Sequence, residues 1–170
     1  MTDMQTIATS LAAHAITLRP IGADDMAFLC RVYASTREEE LAVTDWSSAQ
    51  KEAFLAMQFN AQHAYYQENY PGAAFQVILL DGQPIGRLYL DRWPGELRIV
   101  DIALLPAYRG RGVGTTILNA VLSEGRRLSL PVRIHVERFN PALRLYTRLG
   151  FRLAVDKGVY YLMECLPDAE

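Results

Sequence analysis

The chain has 170 residues, 51% of them apolar, with a formal net charge of −2 and two cysteines. That length suits one domain with a proper core, and the lack of a positive balance argues against nucleic acid and anionic membrane as partners. Cys30 and Cys165 lie far apart in apolar segments, which indicates neither a disulfide framework nor a zinc site; with no apolar run of ~20 residues and no basic leader, a soluble cytoplasmic protein is expected.

Residues 1–14 carry no strong signal and are expected to fray. "ITLRP" reads as a strand over 16–19 ended by proline and a turn, after which Asp24 or Asp25 can cap a helix through Ser35. The polar stretch "STREEELAVTDW" leads to Ser47, with Gln50 three residues on, a capping box that opens a long helix towards Tyr70. "NYPG" stops it. The period then changes to strands: "AAFQVILL", a turn at Asp81-Gly82, "QPIGRLYLDRW", a turn at Pro94-Gly95, and "ELRIVDIALL", an antiparallel meander. A helix over 112–127, the strand "VRIHVE", a helix over 141–149 and the pair "FRLAV" and "VYYLMECL" complete the chain. No repeat or linker divides it. The order β-α-α-β-β-β-α-β-α-β-β predicts one α/β domain over 1–170, with a mixed sheet of α+β character.

Between the meander and the next helix lies "LLPAYRGRGVGTT", residues 104–116. A P-loop needs a lysine and a Ser/Thr after its last glycine, and Gly114 is followed by Thr115 and Thr116. A dinucleotide fingerprint needs G-x-G-x-x-G after the first strand of a βαβ unit; here the spacing is G-x-G-x-G after a fourth strand. A plain strand-to-helix turn needs one glycine. Gly110, Gly112 and Gly114 together suit a surface where bare amides approach an anion at a helix N-terminus.

Arg109-x-x-Gly112-x-Gly114 has the form Q/R-x-x-G-x-G/A, and "NPALRLYTRLGF", residues 140–151, follows after a strand. The two blocks in this order resemble the GNAT superfamily of N-acetyltransferases over roughly residues 15–166. The resemblance implies a GNAT-like fold with two splayed central strands and acetyl-CoA as cosubstrate, without a metal. It implies that Arg109, Gly110, Arg111, Gly112, Val113, Gly114 and Thr115 hold the pyrophosphate, that main-chain groups of Ile102 and Leu104 pair with pantetheine, and that Tyr146 is the acid for the leaving thiolate. Asn140 is carried over with a one-residue offset, and it also fits as the N-cap of its helix with Pro141 at the first position.

The base is the open point. Many members have a glutamate where this chain has Arg98, and an arginine cannot abstract a proton. Glu96 shares Arg98's face in a regular strand. Asp101 lies on the other face, where flanking by Val100 and Ile102 would desolvate it in a way that suits proton abstraction, and a bulge, common in this strand of the family it resembles, could also turn it inwards; a structural carboxylate is the alternative. His135 could relay the proton. The implied function is transfer of an acetyl group to a primary amine of a small molecule or peptide by direct attack; the alternative is a non-catalytic acyl-CoA sensor, suggested by Arg98. Glu38, Glu39 and Glu40 can attract a cationic acceptor or cover a solvated helix end. Trp46, Tyr65, Tyr66 and Tyr70 can line an acceptor cleft, a core or a homodimer surface.

Overall fold

Seven strands, β1 (Ile16–Pro20), β2 (Ala74–Leu80), β3 (Gln83–Trp93), β4 (Glu96–Leu104), β5 (Val132–Glu137), β6 (Arg152–Asp156) and β7 (Tyr160–Cys165), form one sheet. This architecture comes from a computed structural model that describes residues 4–168. The strand order is β1-β2-β3-β4-β5-β7-β6. Every neighbouring pair is antiparallel except β4 and β5, which run parallel. The meander follows from its turns: Asp81 and Gly82 both take positive φ, 50° and 79°, the pair of left-handed residues that matches the twist of a two-residue hairpin.

Among the described residues, six α-helices flank the sheet: α1 (Gln5–Ala12), α2 (Met26–Ser35), α3 (Glu38–Ala42), α4 (Ser48–Asn69), α5 (Val113–Leu128) and α6 (Leu143–Arg148). On one face, Leu88, Leu90, Leu97 and Ile99 pack with Ile7 and Leu11 of α1 and Ile117 and Val121 of α5 in the main core. On the other, Leu29 and Tyr33 of α2 meet Phe59 of α4. The Ser47 capping box forms as expected, with Gln50 N donating to Ser47 Oγ at 3.2 Å and Ser47 N to Gln50 Oε1 at 2.8 Å.

Two elements differ from expectation. The stretch before β1, expected to fray, contains α1: Ile7 and Leu11, four apart and therefore on one helical face, are 1% and 0% exposed. The polar stretch after α2 contains α3. Asp25 does not cap α2 either; its carboxylate takes Arg19 Nη1 and Nη2, each at 2.8 Å, and the Gly22 amide at 2.7 Å.

The feature that makes a site is the seam between β4 and β5. They pair only at Leu97–Val132, Arg98–Arg133 and Ile99–Ile134, and diverge beyond. At the same level β4 carries a bulge: Leu90 faces Ile99 and Tyr89 faces Asp101, leaving Val100 as the extra residue. The bulge shifts the alternation by one, so Asp101 joins Arg98 on the α4 side of the sheet instead of Ile99 in the core. Gly86 lets β3 meet this part of β4, since a Cβ there would lie 2.2 Å from Ala103 O.

Candidate active site

Where β4 and β5 part, a cleft of about 210 Å³ opens, with Tyr66, Asp101, Ile102, His135, Asn140 and Tyr146 in its walls. Tyr146 comes from α6 and is 5% exposed, its ring edge-on to Phe151 at 5.5 Å between centroids. Burial pushes its phenol up, and the negative charge of Asp101 adds to the effect. A phenol held protonated in this way can donate.

The two carboxylates weighed as bases are both committed to other groups. Asp101 Oδ2 accepts from the Tyr66 hydroxyl at 2.9 Å and from Arg87 Nη2 at 3.0 Å, and Oδ1 accepts from Arg87 Nε at 3.3 Å. Arg87 is 2% exposed, is steadied by Gln62 Oε1 at 2.8 Å, and has its charge balanced by Asp101. The expected apolar setting of Asp101 is thus replaced by a paired one, because the bulge carries the side chain to the polar face. Glu96 sits at the closed end of the seam, with Oε2 on Arg98 Nε at 2.8 Å and Oε1 on Arg133 Nη1 at 3.2 Å. That removes it from the cleft.

Arg98 also stacks on Trp93, 4.7 Å from the ring centroid, and places Nη1 3.2 Å from His135 Nδ1. The other ring nitrogen, Nε2, is 2.9 Å from Lys157 Nζ. Burial lowers the affinity of His135 for a second proton, and the charges of Arg98 and Lys157 lower it further against a smaller opposing effect of Glu96. The imidazole is therefore neutral at neutral pH.

The glycine loop has its own geometry. Gly110 and Gly112 take φ of 69° and 83°, and Gly112 is the N-cap of α5. The first helical bond runs from Thr116 N to Gly112 O at 3.0 Å, leaving the amides of Val113, Gly114 and Thr115 outside the helical ladder. Val113 turns its side chain into the core. Gly114 differs from the other two glycines: its φ is not positive, and an added Cβ would meet only Leu104 Cδ1 at an ordinary 3.9 Å. Arg111 lies over the Tyr108 ring at 5.7 Å. Arg109 turns back, its Nε donating to Leu104 O at 2.9 Å and its Nη2 to Ser35 Oγ at 3.0 Å. It ties α2 to the end of β4 and occupies the Leu104 carbonyl that was expected to meet a ligand. Asn140 is not the N-cap: α6 starts at Leu143 with Ala142 as N-cap and no side-chain cap bond, and Asn140 Oδ1 instead accepts from Ala142 N at 2.9 Å in the turn that precedes the helix.

The acceptor side is sorted by the same geometry. Tyr66 reaches the cleft, whereas Trp46 packs on Phe54 at 5.1 Å and Tyr70 stacks on Trp93 at 6.1 Å, and Tyr65 is 55% exposed. Glu38 to Glu40 start α3 as an exposed run. Arg37 beside them bonds Glu40 at 2.9 Å and Glu137 of β5 at 3.0 Å, joining the two walls of the cleft. Sequence reasoning missed Gln62, Arg87 and Lys157. A lone arginine inside the apolar strand "IGRLYL" is a signal that a buried counter-charge exists. Burial pushes the thiols of Cys30 and Cys165 up, so neither is an activated nucleophile.

A loop of free amides at a helix start, an unpaired strand edge and a buried phenol in the cleft beside that edge are parts a CoA thioester requires, and the residues fit it. The acetyltransferase (GNAT) family matches residues 39–151. The chain belongs to this family. It is 33% identical over 98 residues to a Bacillus subtilis (strain 168) protein named "Putative ribosomal protein bS18-alanine N-acetyltransferase", covering 54% of this chain and 62% of that protein. It is 27% identical over 124 residues to an N-alpha-acetyltransferase of Sulfurisphaera tokodaii, covering 63% and 74%. The crystal structure of the PaiA N-acetyltransferase of Thermoplasma acidophilum, in complex with coenzyme A, shares the fold with a TM-score of 0.67 at 18% identity, over 89% of this chain and 98% of that one. Among the described residues of this GNAT chain, no helix is long and apolar enough to cross a membrane.

Proposed function

We propose that this GNAT protein transfers the acetyl group of acetyl-CoA to the α-amine at a polypeptide N-terminus. The observation that carries the reading is the cleft where β4 leaves β5, with Ile102 and Tyr146 in its walls; the free amides at the start of α5, the helix that follows β4 in the chain, support it. The acceptor class follows the names of the two relatives, one for the alanine N of a ribosomal protein and one for an N-alpha position, and agrees with a cleft that opens between α2 and β5.

The acyl donor supplies an activated carbonyl, and the chain supplies position and protons. The amides of Val113, Gly114 and Thr115, aided by the helix dipole, bind the pyrophosphate, with Arg111 beside them. The main chain at Ile102 aligns the pantetheine along β4. As the acceptor nitrogen bonds the carbonyl carbon and the C–S bond breaks, Tyr146 donates its hydroxyl proton to the leaving sulfur and takes back the proton that the nitrogen loses. Asp101 is held by Arg87 and Tyr66, balances the buried guanidinium, and does not itself remove a proton. Release of CoA thiol is to be followed with acetyl-CoA and three acceptors: peptides with a free N-terminus, the same peptides Nα-blocked but carrying lysine, and polyamines. Turnover of the first set above the others is expected. Binding of acetyl-CoA with no thiol release from any acceptor would replace this reading with that of an acyl-CoA sensor.

A further inference from the structure

We propose that Glu137 is a specificity-determining residue of the cleft: its carboxylate captures the ammonium group of the acceptor. The inference rests on the acetyl-transfer reading above. It starts from a charge count. The walls of the cleft carry two carboxylates, Asp101 from β4 and Glu137 from β5, and two guanidiniums, Arg87 and Arg37. Arg87 and Asp101 are matched one to one, with side chains 3% and 15% exposed, and the Tyr66 hydroxyl takes a further place on the carboxylate. That pair has little to offer a cation. Arg37 is shared instead, its Nη1 2.9 Å from Glu40 and its Nη2 3.0 Å from Glu137. Two carboxylates on one guanidinium leave an excess of negative charge, and of the two it is Glu137, 37% exposed, that lines the cleft.

The placement of Glu137 suits an acceptor. It ends β5, two residues after His135 and so on the same face of the strand, beyond the three pairs that join β4 to β5. Tyr146 lies in the walls of the same cleft. The other cations near β5 are occupied elsewhere: Arg98 and Lys157 lie at the two nitrogens of His135, Arg98 is matched by Glu96, and Arg138 lies over the Tyr161 ring at 5.6 Å. Arg37 can yield its place on Glu137 without becoming unpaired. It keeps Glu40 and the face of the Tyr33 ring, 5.7 Å from its guanidinium carbon. An incoming ammonium therefore exchanges one half-exposed ion pair for another and strands no charge.

Capture and reaction are compatible for the acceptor class proposed above. A cation held at Glu137 becomes a nucleophile only after its extra proton has left to solvent. An α-ammonium gives up that proton at about pH 8, whereas a lysine side chain holds it to about pH 10.

The test uses the full chain, saturating acetyl-CoA and lysine-free peptides with a free N-terminus, and follows thiol release at varied peptide concentration. Glu137→Gln should raise the peptide KM by about fivefold or more, the upper end for a half-exposed ion pair, with kcat moving far less. Arg37→Gln should lower that KM, because the whole charge of Glu137 is then left to the acceptor. A bridge that served only to tie the cleft walls together would be broken by either substitution, and both would move KM in the same direction. That result, or a KM that Glu137→Gln leaves in place, overturns the inference alone. Should thermal scans show that one variant has lost its fold, the direction of the KM change in the other decides. A chain that releases no thiol with any amine overturns the acetyl-transfer reading and this inference with it.

Discussion

Tyr146 and Asp101 occupy one cleft, yet their substitutions should fail in different ways. Tyr146→Phe keeps the ring and its edge-on contact with Phe151, so the thermal midpoint should hold and acetyl-CoA should bind as before. Turnover should fall by on the order of 10²–10⁴, the usual range for losing a proton donor. Calorimetry beside a thiol-release assay separates the two quantities, and unchanged turnover would remove Tyr146 from the mechanism. Asp101→Asn acts on stability instead. It leaves the buried Arg87 guanidinium without its counter-charge, and a broken buried pair costs about 3 kcal/mol. Urea unfolding should show that loss, while activity per folded molecule stays largely intact at low temperature. The opposite pattern, full stability with lost turnover, would return Asp101 to the role of base.

At the scale of elements, α1 and the glycine loop show what periodicity can and cannot reveal. The meander, the Ser47 capping box and the strand-loop-helix around Gly112 were legible because each carries local chemistry: left-handed turn residues, a reciprocal cap, a positive φ. Helix α1 has no side-chain cap, no acidic first turn and no basic last turn; contact with α5 across the main core holds it, and that contact is tertiary. Leu11→Ala should therefore cost about 2–5 kcal/mol, as for other fully buried leucines, in a denaturation experiment. A loss below half a kcal/mol would mean the helix is dispensable. The site was legible as loop plus tyrosine. Its polar half was legible only as Asp101 and a bulge that could turn it; the partners that hold the carboxylate, Arg87 of β3 with Gln62 and Tyr66 of α4, come from other elements, and nothing in "RIVDIAL" names them. Gly112 offers a clean test of the loop. Any L side chain there meets open space but must accept φ of 83°, at about 1–2 kcal/mol. Gly112→Ala and Gly112→Asp should share that loss in thermal scans. CoA affinity should collapse only for aspartate, whose carboxylate faces the pyrophosphate; a parallel collapse in both would assign the effect to strain.

For the whole molecule, the divided seam has a consequence that binding should expose. Strands β1 to β4 are paired along their lengths and β5 pairs fully with β7, so each half of the sheet is laced internally. The halves are joined by three residue pairs of the β4–β5 ladder, by the Arg133 bridge to Glu96, and by Arg37 with Glu137 across the cleft. A ligand that adds to the free edge of β4 and caps α5 should protect amides where the chain alone gives them no partner. Hydrogen exchange followed by mass spectrometry, with and without CoA, should slow in peptides covering residues 100–116. Peptides from β1, β2 and the edge strand β6 should be unchanged, because backbone openings there are set by ladders the ligand does not touch. Gly112→Asp should erase the protection and leave the rest of the exchange map intact. Protection centred on β6, or on the face between α2 and α4, would place the cofactor elsewhere, and the seam would then be a feature of the fold without a ligand.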